Sequence, residues 1–365
     1  MSLSQPTSRF QGPTADSAEP GTGLWYTLGG LLEPPEPAAP SAVGILGTGS
    51  YLPARVVSND EVAAPAGVDD AWIVRKTGIR SRRYAAPDEA TSDLAAHAAR
   101  AALTNAGIGP GDLDFIVVAT STPDHPQPAT AAIVQHAIGS ENAASFDLNA
   151  VCSSFLFALN ATAGLLPEGG HGLVIGADVY SRIINPADRR SAPLFGDGAG
   201  AVVLGPVPAE YGLGASVMET FGDLHRTIRV PAGGSRLPAR RLSDEDAAHF
   251  FAMEGRAVRD FVTARLPLST REVLRRSGLP PETIDHFIPH QANGQMLQDI
   301  LPSLDLPRAR VHLTVADYAN TGAASVPVTL DAAHRSGALA EGDRLLLSAF
   351  GGGMSIASTV LRWGR

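Results

Sequence analysis

The sequence is poor in several features that would assign a protein to a class. Its 365 residues include one cysteine, Cys152, which excludes an internal disulfide and fits a reducing compartment. No apolar run is long enough to cross a bilayer, and no basic segment followed by an apolar one opens the chain. A formal charge of −9 argues against nucleic acid as a partner. We therefore expect a cytoplasmic protein with no nucleic-acid or membrane partner.

What is present is an alternation of apolar strand-like runs and helical segments. Residues 1–41 are rich in Ser, Pro, Thr and Gly, and we expect a disordered or weakly ordered extension there. From residue 42 onward, Phe115-Ile-Val-Val-Ala and Gly172-Leu-Val-Ile-Gly-Ala are continuous apolar runs of doubly covered strands. Residues 92–107 predict a helix with Ser92 or Thr91 as its N-cap and Gly107 after its end. The pattern indicates a layered α/β protein.

A weak internal repeat indicates two similar halves. Residues 105–117 and 277–288 both read as a helix end, a glycine, a turn, an aspartate and a strand. The runs that begin Phe195-Gly-Asp-Gly and Phe350-Gly-Gly-Gly also match each other. We therefore predict an N-terminal half over residues 42–212 and a C-terminal half over residues 213–365.

Cys152 lies between a short extended segment and an apolar helix that begins near Phe155. A thiol in the first turn of a helix faces unpaired N–H groups and the positive end of the helix dipole, which favour thiolate over thiol. Alone, however, a single cysteine is more often buried and inert.

Two further motifs favour a reactive role for that cysteine. His290 directly follows an apolar strand in Ile284-Asp-His-Phe-Ile-Pro-His-Gln-Ala-Asn. A zinc site shared with His286 is excluded, because strand residues four apart lie ~13 Å from each other. Asn320 stands in a polar turn that leads into small residues, where a helix start can approach its neighbours closely.

In this order and with these flanking residues, Cys152, His290 and Asn320 resemble the ketosynthase III family of the thiolase superfamily, the β-ketoacyl-acyl-carrier-protein synthase III enzymes. Residues 72–80, 194–200 and 349–353 carry three more motifs of that family, and the resemblance covers about residues 43–365. It implies an α/β, thiolase-like fold in which two similar α/β halves form αβαβα layers.

The resemblance also implies a reaction and its residues. Cys152 would take the acyl group from an acyl-CoA, with the main-chain N–H groups of Cys152 and Gly352 as the oxyanion hole. Decarboxylation of a malonyl thioester would follow, with His290 and Asn320 donating hydrogen bonds to the enolate. Phe350 would line the malonyl pocket. The enolate then attacks the acyl group in a decarboxylative Claisen condensation, and neither a metal nor a redox cofactor is required.

The same resemblance implies a CoA site and partners. Trp72 and Arg189 would hold the adenine, Lys76 would lie near the phosphates, and Gly255 and Asn293 would contact the pantetheine arm. Family members usually have Arg at the Lys76 position; Lys keeps the charge but loses the planar fork. An acyl carrier protein and a second copy of the chain, as a homodimer, are the implied macromolecular partners.

Two further departures from the family pattern, beside Lys76, favour a natural-product branch, polyketide rather than fatty acid priming. Gln295 replaces an Arg that helps to dock the carrier protein, a task that Arg256 and Arg259 can take over. Ser154 stands where the family usually has Gly. Two alternatives stay open: an acyltransferase that performs no condensation, and a catalytically silent partner subunit.

Overall fold

The computed structural model describes residues 41–243 and 246–364, so the predicted extension over residues 1–41 lies outside the described residues except for Ser41. The strands within the described ranges are β1 Ser41–Tyr51, β2 Arg55–Ser58, β3 Ser81–Tyr84, β4 Phe115–Ala119, β5 Ala144–Leu148, β6 Gly172–Val179, β7 Asp197–Pro208, β8 Gly212–Thr220, β9 Ile228–Arg229, β10 Ala252–Met253, β11 His286–Pro289, β12 Arg310–Val311, β13 Arg344–Gly351 and β14 Ser355–Arg362. The α-helices there are α1 Asn59–Ala66, α2 Asp70–Thr77, α3 Thr91–Ala106, α4 Thr130–Ile138, α5 Ser154–Leu165, α6 Gly255–Ser277, α7 Gly294–Ile300, α8 Val315–Tyr318 and α9 Ser325–Arg335.

Two five-stranded sheets have the same topology. The first has the strand order β1-β7-β6-β4-β5 and the second the order β8-β14-β13-β11-β12. In both, the first two pairings are antiparallel and the last two are parallel. Numbered within its own half, each sheet therefore runs 1-5-4-2-3, which confirms the predicted pair of similar halves. Residues 39–365 form one compact unit, so the boundary at residues 212 and 213 stays a prediction.

The sheets and helices stack in five layers, as predicted. Helices α3 and α4 cover the outer face of the first sheet, and α6 covers the outer face of the second. Helices α5 and α9 lie between the sheets and contact strands of both. Phe155 and Leu156 of α5 and Val326 and Leu330 of α9 are fully buried in this central core. Apolar residues with little polar interruption were expected for such doubly covered elements.

Helix α3 has the predicted span, but its predicted N-cap is wrong. The N-cap residue is Ala90, whose backbone N–H donates to the carboxylate of Asp93 at 2.8 Å. Ser92 instead donates its backbone N–H and its hydroxyl to Asp124, at 2.9 and 2.6 Å. Gly107 ends the helix as predicted, at a φ of 69° that glycine adopts without strain.

Topology brings the three chemical motifs to one edge of the molecule. The parallel strands β4, β5 and β6 end at one edge of the first sheet, and Cys152 follows β5 by four residues. In the second sheet, His290 directly follows β11, which is parallel to β13. Asn320 precedes α9 and forms an isolated bridge with Phe195. Among the described residues, no helix is long and apolar enough to span a membrane.

Candidate active site

A cavity of about 290 Å³ brings most of the predicted residues together. Its walls are mainly apolar, with four cationic side chains among them. The predicted residues that line it are Trp72, Lys76, Cys152, Arg189, Gly255, His290, Asn293, Asn320 and Phe350. Gly352 is the exception, since Gly351 lines the cavity in its place. A cleft of this size, apolar with few polar groups, is the usual form of a small-molecule site.

Cys152 lies at the centre of a tight turn between β5 and α5. Residues 151–153 form a single 3-10 turn, and Val151 before the cysteine has a φ of 52°, which is strained for a β-branched residue. The Ser153 hydroxyl donates to the Ala150 carbonyl at 2.8 Å, and the Ala150 N–H donates to the Ser154 hydroxyl at 2.6 Å. Ser154 therefore stabilises the turn, and its hydroxyl faces the backbone instead of the acyl pocket.

The glycine-rich end of β13 packs directly on this turn. A Cβ atom on Gly351 would lie 2.6 Å from the Cys152 nitrogen and 2.9 Å from the Ser153 nitrogen. A Cβ atom on Gly352 would lie 2.9 Å from Cγ2 of Val151. Glycine is required here because the two backbones approach more closely than any side chain allows. The assignment of Gly352 as an oxyanion donor stays a prediction.

The expected thiolate is not the resting form of Cys152. Burial, and to a smaller extent the nearby Asp178 carboxylate, raise the pKa of the thiol to about 12. Hydrogen bonding with Tyr180 and with the backbone lowers this pKa, but by less. The side chain is only 7% exposed, so loss of solvation outweighs the helix terminus that the sequence interpretation relied on. The ligand-free protein therefore holds a neutral thiol.

His290 is a neutral imidazole whose ring orientation is fixed by contacts with Ser325 and Phe350. Its Nδ1 atom lies 2.6 Å from the Ser325 hydroxyl, and its ring meets Phe350 edge-on at 5.1 Å. Burial lowers its pKa to about 3. Among the described residues, the Ser325 hydroxyl has two partners, His290 Nδ1 and the Gln291 N–H. An N–H can only donate, so the serine hydrogen points at Nδ1 and the ring proton is on Nε2.

Asn320 is held as a hydrogen-bond donor toward the cavity. Its Oδ1 atom accepts the Gly322 N–H at 2.9 Å, which leaves the Nδ2 amide group for the cavity. Its backbone N–H donates to Leu194 at 2.9 Å and its carbonyl accepts from Gly196 at 3.0 Å. Because a backbone N–H must meet the amide oxygen, the amide cannot be flipped without losing this bond.

Three aromatic residues that the sequence did not single out pack together beside the thiol. The Tyr180 hydroxyl lies 3.9 Å from Sγ of Cys152. The Tyr180 ring stacks on Phe195 at 4.4 Å and meets Phe251 edge-on at 5.8 Å. Tyr180 directly follows β6, which is parallel to β4. Its position at the carboxyl end of a parallel strand was the signal that could have identified it.

The predicted CoA residues occupy the outer part of the cavity. Lys76 and Arg189 are exposed there, as are Arg190 and Arg259, and such cations suit the phosphates of CoA. Asn293 also has a structural role that was not predicted, since its Oδ1 accepts the Met296 N–H and caps α7. None of these contacts has been tested, and each stays a prediction.

The residues predicted to dock a carrier protein lie near an aspartate at the mouth of the cavity. Arg259 forms an ion pair with Asp299 at 2.7 Å, and Gln295 donates to the same carboxylate at 3.1 Å. An acidic neighbour on α7 therefore offsets part of the positive charge of Arg259. Arg256 is exposed one turn earlier on α6.

His286 belongs to a separate cluster of side chains. Its Nδ1 lies 2.9 Å from His312 Nε2, and its Nε2 lies 2.9 Å from the Asp343 carboxylate. Across the described ranges, no group of three or more His, Cys, Asp or Glu is arranged to hold a metal ion.

Comparison with known proteins agrees with this geometry. Residues 146–222 match the family described as 3-oxoacyl-[acyl-carrier-protein (ACP)] synthase III, and residues 274–363 match its C-terminal part. The chain is 56% identical to acetoacetyl CoA synthase NphT7 of Streptomyces sp. strain CL190, over 87% of this chain and 98% of that protein. It is 44% identical to a β-ketoacyl-[acyl-carrier-protein] synthase III of Caldanaerobacter subterraneus, over 89% of this chain and 98% of that protein.

Solved structures give the same result. The priming β-ketosynthase of the R1128 polyketide pathway has a TM-score of 0.82 at 34% identity, covering 90% of this chain and 98% of that one. A 3-oxoacyl-(acyl carrier protein) synthase III of Pseudomonas aeruginosa has a TM-score of 0.79 at 38% identity, covering 89% and 99%. The chain is thus a condensing enzyme of thiolase fold. It belongs to the 3-oxoacyl-[acyl-carrier-protein] synthase III family, whose reaction is decarboxylative Claisen condensation.

Proposed function

We propose that this enzyme condenses a short acyl-CoA, of acetyl size, with malonyl-CoA through an acyl-Cys152 intermediate. The observation that carries the proposal is the convergence of Cys152, His290 and Asn320 on one cavity, with both donors fixed toward it. The 3-ketoacyl-CoA product is a primer for polyketide or fatty acid synthesis.

Loading begins when the sulfur of Cys152 attacks the thioester carbon. The new S–C bond forms, the bond to the CoA sulfur breaks, and CoA leaves. The oxyanion of the tetrahedral intermediate lies against the backbone of the 151–153 turn, with the N–H groups of Cys152 and Gly352 as its donors. The close packing of Gly351 on the Cys152 nitrogen keeps this backbone from moving during the reaction.

Condensation uses the two neutral donors. The malonyl carboxylate leaves as CO2, and the negative charge of the enolate collects on the thioester oxygen. His290 Nε2–H and Asn320 Nδ2–H donate to that oxygen, and their hydrogen bonds strengthen as charge develops there. The enolate carbon then attacks acyl-Cys152 and expels its sulfur.

Tyr180 supports a short starter. Its hydroxyl lies 3.9 Å from the nucleophilic sulfur, and two phenylalanines hold its ring. A long or branched acyl chain on the sulfur would need this ring to move out of a stacked position, whereas an acetyl group would not. The name of the relative acetoacetyl CoA synthase NphT7 describes a product of the same short length in that protein.

The mouth of the cavity supports malonyl-CoA over malonyl carrier protein as the acceptor. Gln295 carries no charge and Arg259 is already paired with Asp299, so Arg256 is the one predicted docking cation without an ion pair among the described residues. The exposed cations Lys76 and Arg189 meanwhile suit a nucleotide phosphate, which both substrates would then carry.

A homodimer is part of the proposal. Strand β5 lies at the edge of the first sheet, directly before the 151–153 turn. Phe146 and Leu148 on this edge are only partly covered. Pairing of β5 with the β5 of a second copy would cover them and hold the nucleophile turn in place. Size-exclusion chromatography with light scattering measures the expected dimer mass.

The test combines intact-protein mass spectrometry with CO2 release. Acetyl-CoA should add one acetyl group to the wild-type enzyme and none to Cys152→Ala, while hexanoyl-CoA and branched acyl-CoAs should add little. With acetyl-CoA and malonyl-CoA, CO2 and 3-ketoacyl-CoA should form in equal amounts. Cys152→Ala should still release CO2 from malonyl-CoA, because both enolate donors remain, but should form no condensed product.

Other outcomes would reject parts of the proposal. Acyl transfer to a small acceptor without CO2 would support the simple acyltransferase, and absence of any adduct on Cys152 would support a silent subunit. Faster turnover with malonyl carrier protein than with malonyl-CoA would overturn the choice of acceptor and leave the condensation intact.

A further inference from the structure

A continuous chain of buried hydrogen bonds leads from the nucleophile to an aspartate. Sγ of Cys152 lies 3.9 Å from the Tyr180 hydroxyl, which lies 3.0 Å from the Ser121 hydroxyl. Ser121 donates in turn to Oδ1 of Asp178 at 3.0 Å. Cys152, Tyr180 and Asp178 are all buried, and Asp178 is 0% exposed. The reaction described above gives this chain no role.

The direction in which these hydrogen bonds are donated follows from Asp178, the last group of the series. Asp178 accepts five hydrogen bonds, four at Oδ1 and one at Oδ2, an arrangement that suits an ionised carboxylate. Its donors are the hydroxyls of Thr120, Ser121 and Thr122 and the backbone N–H groups of Ser121 and Ala323. Since the Ser121 hydrogen points at Asp178, the Tyr180 hydrogen points at Ser121. The Tyr180 oxygen is then left to accept the hydrogen of the thiol.

The thiol needs an acceptor because His290 does not offer one. Ser325 directs the ring proton of His290 to Nε2, the nitrogen that serves as donor to the enolate. The titratable groups that influence the sulfur are Tyr180 and Asp178, and His290 lines the same cavity. The cations on the same cavity, Lys76, Arg189, Arg190 and Arg259, are exposed at its outer part.

We propose that Tyr180 and Ser121 relay the Cys152 proton to Asp178 during loading and return it after condensation. This inference rests on the proposed function for its second half. As the sulfur attacks, its S–H bond breaks and the proton moves to the Tyr180 oxygen. The Tyr180 proton moves to Ser121, and the Ser121 proton moves to Asp178. An O–H bond forms on Asp178, and CoA leaves as a thiolate that takes a proton from solvent.

The same path runs backward in the second half-reaction. When the enolate expels the Cys152 sulfur, Asp178 gives up its proton to Ser121, Ser121 to Tyr180, and Tyr180 to the sulfur. The enzyme returns to its starting state, and the only net proton taken from solvent is the one on CoA.

Asp178 is suited to act as such an acceptor. Burial raises its pKa, so it holds a proton more readily than an exposed aspartate. Within the described part of the chain, no Lys, Arg or His forms an ion pair with it. Proton transfer therefore removes a buried charge from Asp178 as it creates one on Cys152, and the charge stays within the same pocket.

Alkylation of the ligand-free enzyme by iodoacetamide tests the relay without any acyl substrate. An internal transfer does not change the number of bound protons, so the wild-type rate should be constant from about pH 6 to about pH 9. In Tyr180→Phe the sulfur must lose its proton to solvent. The rate should then rise about tenfold per pH unit over this range, because the thiol pKa lies above it. The phenyl ring keeps the stack on Phe195, and a thermal melt confirms that the variant is folded.

Ser121 provides the matched pair of variants. Ser121→Ala breaks the chain without touching Cys152 and should show the same rise as Tyr180→Phe, whereas Ser121→Thr keeps a hydroxyl and should retain a flat profile. His290→Asn should also retain it. The relay is overturned if the wild-type rate itself rises tenfold per pH unit, or if the profile of Tyr180→Phe or Ser121→Ala stays flat. Failure of acetyl loading with a flat alkylation profile would instead count against the proposed function.

Discussion

Replacement of Asn320 by aspartate changes one functional group and little else. The two side chains have the same shape, and Oδ1 would still accept the Gly322 N–H that holds the wild-type amide at 2.9 Å. The group that faces the cavity changes from an NH2 donor to a carboxylate oxygen. An enolate oxygen would then meet a like charge where it had met a hydrogen-bond donor.

The size of the effect follows from the loss of a single fixed donor. Removal of one donor to a developing oxyanion costs about 2.7–4 kcal/mol, or about 10²- to 10³-fold in rate. Repulsion between two negative groups in a buried site increases that cost. We therefore expect Asn320→Asp to lower the rate of CO2 release from malonyl-CoA at least about 10²-fold. Acetyl loading of Cys152 should change by less than about threefold, because the loading oxyanion uses backbone donors.

Two measurements on one preparation distinguish these effects. Stopped-flow or quenched-flow mass spectrometry follows acetyl-Cys152, and released CO2 is measured separately with malonyl-CoA. Asn320→Ala is the matched control for the added charge and should fall between wild type and Asn320→Asp. If Asn320→Asp lowers loading as much as decarboxylation, the assignment of Asn320 to the enolate alone is wrong.

Three other predictions concern the groups that support the site. Ser325→Ala frees the proton of His290 to move to Nδ1, so condensation should slow about tenfold with loading unchanged, as followed by the same two assays. Gly351→Ala places a Cβ 2.6 Å from the Cys152 nitrogen, so both loading and the melting temperature should fall, as measured by mass spectrometry and calorimetry. Burial lowers the pKa of His312 to about 4, so the unfolded state binds this proton first on acidification. The free energy of unfolding should therefore fall from about pH 6.5 to about pH 4, and His312→Gln should lessen that fall in urea titrations. If the free energy of unfolding depends on pH equally in His312→Gln and in the wild type, the acid sensitivity arises from other groups.

Much of the fold was predictable because its determinants are local. The apolar runs at Phe115 and Gly172 gave strands β4 and β6 at the expected positions. The repeat at residues 105–117 and 277–288 gave two halves with the same strand order. These features depend on neighbouring residues in the chain, and a single sequence contains that information.

The failed predictions concern contacts between distant residues. Ser92 is a good N-cap in isolation, but its backbone N–H and its hydroxyl both donate to Asp124, which lies 32 positions later. Cys152 is next to a helix start, but its protonation is decided by burial and by Asp178, 26 residues away. Neither effect can be read from flanking sequence.

In the candidate site, too, local motifs were predictable and contacts between distant residues were not. Cys152, His290 and Asn320 were identified because each lies in a motif next to a recognisable strand or helix. Tyr180 and Ser121 were not identified, since their contact with each other joins positions 59 apart in the chain. Ser121 follows β4 and Tyr180 follows β6, and the two residues meet because these strands are parallel and end at the same edge of the sheet.

The groups around the reacting atoms are uncharged in the resting enzyme, and this determines how the site gains its rate. The neutral imidazole of His290 and the amide of Asn320 bind the malonyl thioester only weakly before decarboxylation, since neither forms an ion pair with the substrate. Each forms its strongest hydrogen bond once negative charge reaches the thioester oxygen, so the stabilisation falls on the transition state more than on the bound substrate. Burial makes His290 neutral and lowers its pKa to about 3. The same burial raises the thiol pKa of Cys152 to about 12. A site that gains selectivity for the enolate in this way must find another means to deprotonate its nucleophile, and the Tyr180–Ser121–Asp178 chain is the arrangement in this structure that supplies one.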